Sequence, residues 1–146
     1  MYKKILVPID LGEESSWKRS LPKAVELARQ SQGSILVVTV LTDMQAFFKG
    51  ATLPVSYKRL HAKNEKTLKT IVEHNVPSDV PVSPIVRHGS IHREIVRVAL
   101  DEHADLILMV SHSPGIRDYF LGPNAAHVVR HAHCSVLIIR EEKQFA

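Results

Sequence analysis

The chain has a single cysteine, Cys134, which excludes an internal disulfide. A lone thiol suits a reducing cytoplasm. Set just before an apolar run, it reads as an inert structural group rather than a nucleophile. Aromatic residues make up only 5% of the chain, too few for a base-stacking surface. No Lys/Arg run marks a nucleic-acid face, and the formal charge of +4 is mild. No apolar run approaches the ~18 residues of a membrane span. Met1 to Ile5 leads straight into a strand-like run, so no signal peptide is expected. Three motifs of phosphate and acyl chemistry are missing as well. Without G-x-x-x-x-G-K-[ST] there is no P-loop, and no Gly-rich dinucleotide signature replaces it. Without a G-x-S-x-G elbow, Ser111, Ser113, His112 and Asp10 do not make a hydrolytic set.

What is there is ordinary globular material, 45% apolar and 23% charged. At 146 residues it fits one domain, residues 1–146, with a real core. Lys4-Ile-Leu-Val-Pro-Ile-Asp10 reads as a first strand, with Pro8 near its end, where a lost ladder bond is tolerated. Asp10 is then the first polar residue beyond the strand, at its carboxyl edge. Asp10 is either a turn residue or a ligand-facing carboxylate. Leu21, Val25 and Ala28 trace a helix starting near Ser20 or kinked there, since Pro22 is tolerated only in a first turn. Ser34 to Leu41 is a second buried strand. Thr42 to Val55 exceeds a usual connection, which makes it a candidate lid or partner surface. Leu60, Leu68 and Val72 follow as a helix. Val82 to Val86, broken by Pro84, belongs at a sheet edge. Gly89-Ser90 heads a third helix, with Ser90 as N-cap and Ile91, Ile95, Val98 and Ala99 inward.

The last third carries the most information. Asp105-Leu-Ile-Leu-Met-Val110 and Ser135-Val-Leu-Ile-Ile139 are continuous branched runs, as in strands buried on both faces. Between them Ala125, Val128, Val129 and Ala132 fall at helical spacing. Pro123 suits the first helical position, where its missing N–H is no loss. The N–H groups of Asn124 and Ala125 then face the preceding loop, a geometry that accepts anions. The simpler reading is a plain strand-to-helix turn. The alternation of strands and helices predicts one parallel sheet with helices on both faces, a doubly wound α/β fold.

Nine histidines invite a metal. His127 and His131 are four apart, and two such imidazoles can chelate zinc. No H-E-x-x-H accompanies them and no third ligand is evident in the sequence. A solvated polar helix face is the better reading, and no metal site is expected. His61, His74, His88, His92 and His103 show no pattern. His112 sits in the loop beside the candidate anion site.

Taken together, Lys4 to Asp10, Gly89-Ser90, Ser111-His112, Leu121-Gly122-Pro123-Asn124, Val129-Arg130-His131-Ala132 and Cys134 to Arg140 resemble the universal stress protein family over nearly the whole chain. The resemblance implies an adenine nucleotide alpha hydrolase-like fold, five parallel strands in the order 3-2-1-4-5. In such a sheet Asp10 and Ser111 to Ser113 meet at the switch point, where open α/β sheets bind ligands. It implies ATP, with Mg²⁺ or Mn²⁺ as a companion ion, held by Pro8, Ile9, Asp10, Val40, Gly89, Val110, Ser111, His112, Ser113, Arg117, Gly122, Pro123, Asn124 and Ala125. Adenine is then read by backbone about Val40, and the ribose by Asp10. The resemblance also implies a cytoplasmic stress-response homodimer joined through Ser135 to Ile139. At most it implies slow hydrolysis or self-modification, with no catalytic residue identified.

The family's nucleotide-binding branch carries G-x-x-G-x9-G-[ST], and this sequence departs from it. Val110 and Ser113 stand at the first two glycines, Pro123 at the Ser/Thr, and Pro114 to Leu121 is one residue short. The segment Phe120-Leu-Gly-Pro-Asn124 is closer to a sub-group whose shortened loop ends in Leu-Leu-Gly-Ser-Asn. Pro123 removes two donors at roughly 1.5–3 kcal/mol each, about 100-fold or more in phosphate affinity. Asn124, Ala125 and Arg117 offset part of that. The rival expectation is a nucleotide-free interaction module of the same fold.

Overall fold

The computed structural model describes residues 1–42, 55–111 and 122–140. Five strands form one sheet: β1 (Lys4–Pro8), β2 (Ser34–Leu41), β3 (Val82–His88), β4 (Leu106–Ser111) and β5 (Ser135–Arg140). Their order is β3-β2-β1-β4-β5, and every pairing is parallel. The helices are α1 (Ser15–Lys18), α2 (Ser20–Ser31), α3 (Val55–Asn75), α4 (Ile91–Asp101) and α5 (Pro123–His131).

The continuous apolar runs are explained by burial on two sides. In β1, Ile5 and Val7 join one core with Leu21 and Val25 of α2 and Leu68 and Val72 of α3. Leu6 points the other way, into a second core with Ile95 and Val98 of α4 and Val128 of α5. A strand with an apolar layer on each face cannot alternate.

Several boundaries differ from the sequence expectation. β1 ends at Pro8, so Ile9 and Asp10 already lie beyond it. β3 runs on to His88 and β4 to Ser111, past the expected ends at Val86 and Val110. Pro84 does sit on the edge strand, opposite Val37. The break at Arg19, with φ −106°, separates α1 from α2, so Pro22 falls in the first turn of α2. Ser90 has N-cap backbone angles, but its hydroxyl caps nothing. It lies 3.4 Å from His92 Nε2 instead. Val129, placed on the inward stripe of α5, is 47% exposed, because α5 packs through Ala125 and Val128. Residues 43–54, most of the candidate lid, lie outside the described residues.

Two contacts fix how β1 enters the sheet. The Asp105 carboxylate accepts from the backbone N–H of Lys3 at 2.7 Å and of Lys4 at 2.9 Å, tying the turn before β4 to the start of β1. At Gly33 the chain runs so close that a Cβ would lie 2.8 Å from the carbonyl oxygens of Tyr2 and Lys3. Both contacts hold the centre of the sheet in register. That register sets the carboxyl ends of β1 and β4 side by side.

Candidate functional site

β1 crosses over to β2 on one side, and β4 pairs it on the other. The connections leaving their carboxyl ends therefore diverge, and a crevice opens between them. In this chain the crevice is a cavity of about 280 Å³. Its floor is the tips of the central strands, Val38, Val40, Met109 and Val110. One wall is the β1–α1 loop with Pro8, Ile9 and Asp10. The other is the first turn of α5 with Gly122, Pro123, Asn124 and Ala125. Ile91 and Ile95 of α4 close the side. Ile91, expected to face inward, is 36% exposed because it borders this opening.

The loop bearing Asp10 is tightly built. The Asp10 N–H donates to Ser16 Oγ at 2.8 Å, and that hydroxyl lies 2.7 Å from the Glu13 carbonyl. One Asp10 oxygen, Oδ1, accepts the Gly12 N–H at 2.9 Å, which is an Asx turn. Asp10 is thus a turn residue and a cavity residue at once. It is the one charged group among the described lining residues; the other polar ones are Ser16, Thr42 and Asn124.

On the opposite wall Gly122 is the N-cap of α5, and its carbonyl accepts from Ala126 at 2.9 Å. Pro123 is the first helical residue, as its fixed φ favours. The N–H groups of Asn124 and Ala125 belong to the first turn and have no partner within the helix. The wall is thus electropositive at its backbone and faces a carboxylate across apolar strand tips. Such a pocket suits a flat apolar ring system carrying a hydroxyl-rich or anionic group.

A model of the universal stress protein family matches residues 1–140. The chain belongs to that family. It is 31% identical over 143 residues to universal stress protein G of Shigella flexneri, covering 96% of this chain and 100% of that one. Among solved structures, a universal stress protein in complex with cAMP has a TM-score of 0.63 at 21% identity, covering 95% of this chain and 97% of that one. A family member from Arabidopsis thaliana with AMP bound has a TM-score of 0.62 at 20% identity, covering 96% and 92%.

In this universal stress protein nine of the residues singled out from sequence line the cavity: Pro8, Ile9, Asp10, Val40, Val110, Gly122, Pro123, Asn124 and Ala125. Gly89 and Ser111 are not among the described lining residues. The Gly89 N–H donates to the Leu41 carbonyl at 3.1 Å, and its φ of 136° is a conformation only glycine takes easily. Its work is turning β3 into α4. Ser111 is still within β4, buried and opposite Arg140. His112, Ser113 and Arg117 lie outside the described residues. Six lining residues were not among the expected site residues: Ser16, Val38, Thr42, Ile91, Ile95 and Met109. Ser16 carried a usable signal, since a serine six residues past a strand-end aspartate can tie the intervening loop.

The histidines pair in ways that their spacing in the sequence does not show. His61 Nδ1 lies 2.8 Å from His88 Nε2, with Glu65 at 3.5 Å from the other His61 nitrogen. Burial, then the nearby His61, hold the His88 imidazole below its usual pKa, against an upward pull from Glu94. On the other face His127 lies between His92 and His131 in tilted ring contacts, with centroids 3.8 and 4.2 Å away. His127 is half-buried in these contacts, while Arg130 and His131 on the same turn are exposed, as a polar helix face would have them. Among the described residues no group of three or more metal-ligating side chains is arranged to hold an ion. Cys134 is half-buried, and burial with Asp105 nearby pushes its thiol up, away from the nucleophilic thiolate.

Proposed function

We propose that the switch-point cavity holds an adenine nucleotide, ATP by family resemblance, and that this stress protein signals by changing its partners with nucleotide state. The observation that carries the reading is the opposition of Asp10 and the first turn of α5 across apolar strand tips. Asp10 would take the ribose hydroxyls, the strand tips the purine, and the Asn124 and Ala125 N–H groups the first phosphate. The cAMP and AMP complexes of fold neighbours favour the same ligand class. Mg²⁺ or Mn²⁺ would accompany the outer phosphates. No hydrolytic step is assigned to any residue. We further propose a cytoplasmic homodimer joined along β5.

Pro123 favours a second reading, a nucleotide-free interaction module, because it removes a hydroxyl and an N–H from the anion-facing turn. Calorimetric titration with ATP, ADP and AMP, each with and without Mg²⁺, separates the two. Micromolar ATP binding, weakened in Asp10→Ala and in Gly122→Ala, is the expected result. Equal affinity for all three nucleotides would mean that only the adenosine half survives. No heat and no thermal shift with any of them would leave the interaction module. Asp10→Asn sharpens the test, since it keeps the acceptor for the Gly12 N–H and removes only the charge.

A further inference from the structure

The His92–His127–His131 stack occupies the seam between the two helices that wall the cavity. His92 follows Ile91 in the first turn of α4, and His127 lies one turn beyond Pro123 and Asn124 in α5. We propose that this stack is a proton-operated latch: neutral, it holds the first turn of α5 against α4; protonated, it releases α5 and opens the cavity wall. The inference rests on the nucleotide reading only for its consequence, not for the latch itself.

Three imidazoles at 3.8 and 4.2 Å attract as flat polarisable rings and repel as cations. The surroundings add charge of the same sign. Arg93 of α4 and Arg130 of α5 both act on His127, alongside His92 and His131. Neither β4 nor β5, which α5 also packs on, brings a carboxylate, and Arg140 is the one titratable residue in them. The acid in this stretch of α4, Glu94, is buried and bound to Arg97 at 2.9 Å. Desolvation first, then those cations, hold His127 below its usual pKa. A charged imidazole also donates from both nitrogens. Nδ1 of His92 is buried with no acceptor among the described residues. Opening the seam relieves both conflicts by admitting water.

The test is amide hydrogen exchange of the ligand-free protein at pH 7.5 and 5.5, each corrected for the intrinsic chemical rate. Each ring that is neutral when latched and charged when open contributes up to about tenfold per pH unit to the opening equilibrium. Protection of α5, taken relative to that of the central strands β1 and β2 so that any global loss of stability cancels, should therefore fall at least about threefold at the lower pH. The double variant His92→Phe/His127→Phe keeps flat rings across the seam and leaves His131 with no second imidazole to repel; it should show no such fall. Unchanged α5 protection in the wild type would overturn the latch, as would a pH response that persists in the double variant. The cavity link is read with adenosine, whose neutrality removes phosphate attraction. Its affinity should fall with pH in the wild type and hold steady in the variant. Equal affinity at both pH values, with α5 opening, would sever the latch from the cavity. Adenosine binding at neither pH would sink the nucleotide reading while the exchange data still judge the latch.

Discussion

Gly33 and Gln32 make opposite demands on the same turn. A Cβ at Gly33 would meet two backbone carbonyl oxygens at 2.8 Å, and neither can swing aside as a side chain would. Gly33→Ala should therefore destabilise the protein by about 1–3 kcal/mol in denaturant unfolding, as overpacking generally does. Gln32, one residue earlier, caps α2 in the left-handed region at φ 53°. Gln32→Gly should relieve that strain and raise stability by about 0.5–1 kcal/mol in the same assay. Neither demand was visible in the letters, because a close approach of chain to chain is a property of the folded sheet. Asp10 was visible. It is the first polar residue after the apolar run Ile5 to Ile9, and parallel sheets place that position at the ligand end. What the letters left open was whether it serves the turn or the cavity. The Asx bond to Gly12 and its place in the cavity lining give both.

At the scale of elements, the strands read well because each is a short branched run with apolar layers on both faces. The α5 start read well because Gly-Pro signals a first turn through fixed φ and a missing N–H. The histidine pairings did not read at all. His61 and His88 are 27 residues apart, and only the packing of α3 against β3 brings them to 2.8 Å. That packing has a pH consequence. The fold holds His88 below its usual pKa, so the unfolded chain takes up a proton first as the pH falls. Stability is then complete above the ordinary histidine value of about 6.5 and declines as the pH drops through and below it. Denaturant titrations between pH 8 and 5 should show this decline. The variant His88→Phe, which still fills the space against α3, should show a shallower one. A slope identical to that of the wild type would remove His88 from the account.

For the molecule as a whole, the two edges of the sheet differ: among the described residues one is blunted and the other is left unpaired. β3 ends the sheet with Pro84 in place of a donor, one of the usual ways to blunt an edge. β5 ends it with Ser-Val-Leu-Ile-Ile-Arg, an apolar strand free of proline, and Leu137 there is 38% exposed. An unblunted apolar edge invites pairing with another strand. A second copy of this chain would supply one across a twofold axis, since an isologous contact closes on itself. Sedimentation velocity at micromolar concentration should therefore give a dimer. Leu137→Glu, which sets two like charges against each other near the axis, should shift it towards monomer while thermal unfolding remains cooperative. A monomeric wild type would end the edge-pairing argument and leave β5 needing another cover. A dimer untouched by Leu137→Glu would place the contact elsewhere, on surfaces such as Val129 of α5 or Leu100 of α4, which are 47% and 55% exposed. Such a dimer would also bear on the cavity. α5 leads directly into β5, so an interface that fixes β5 restrains the C-terminal end of the helix whose first turn forms the cavity wall.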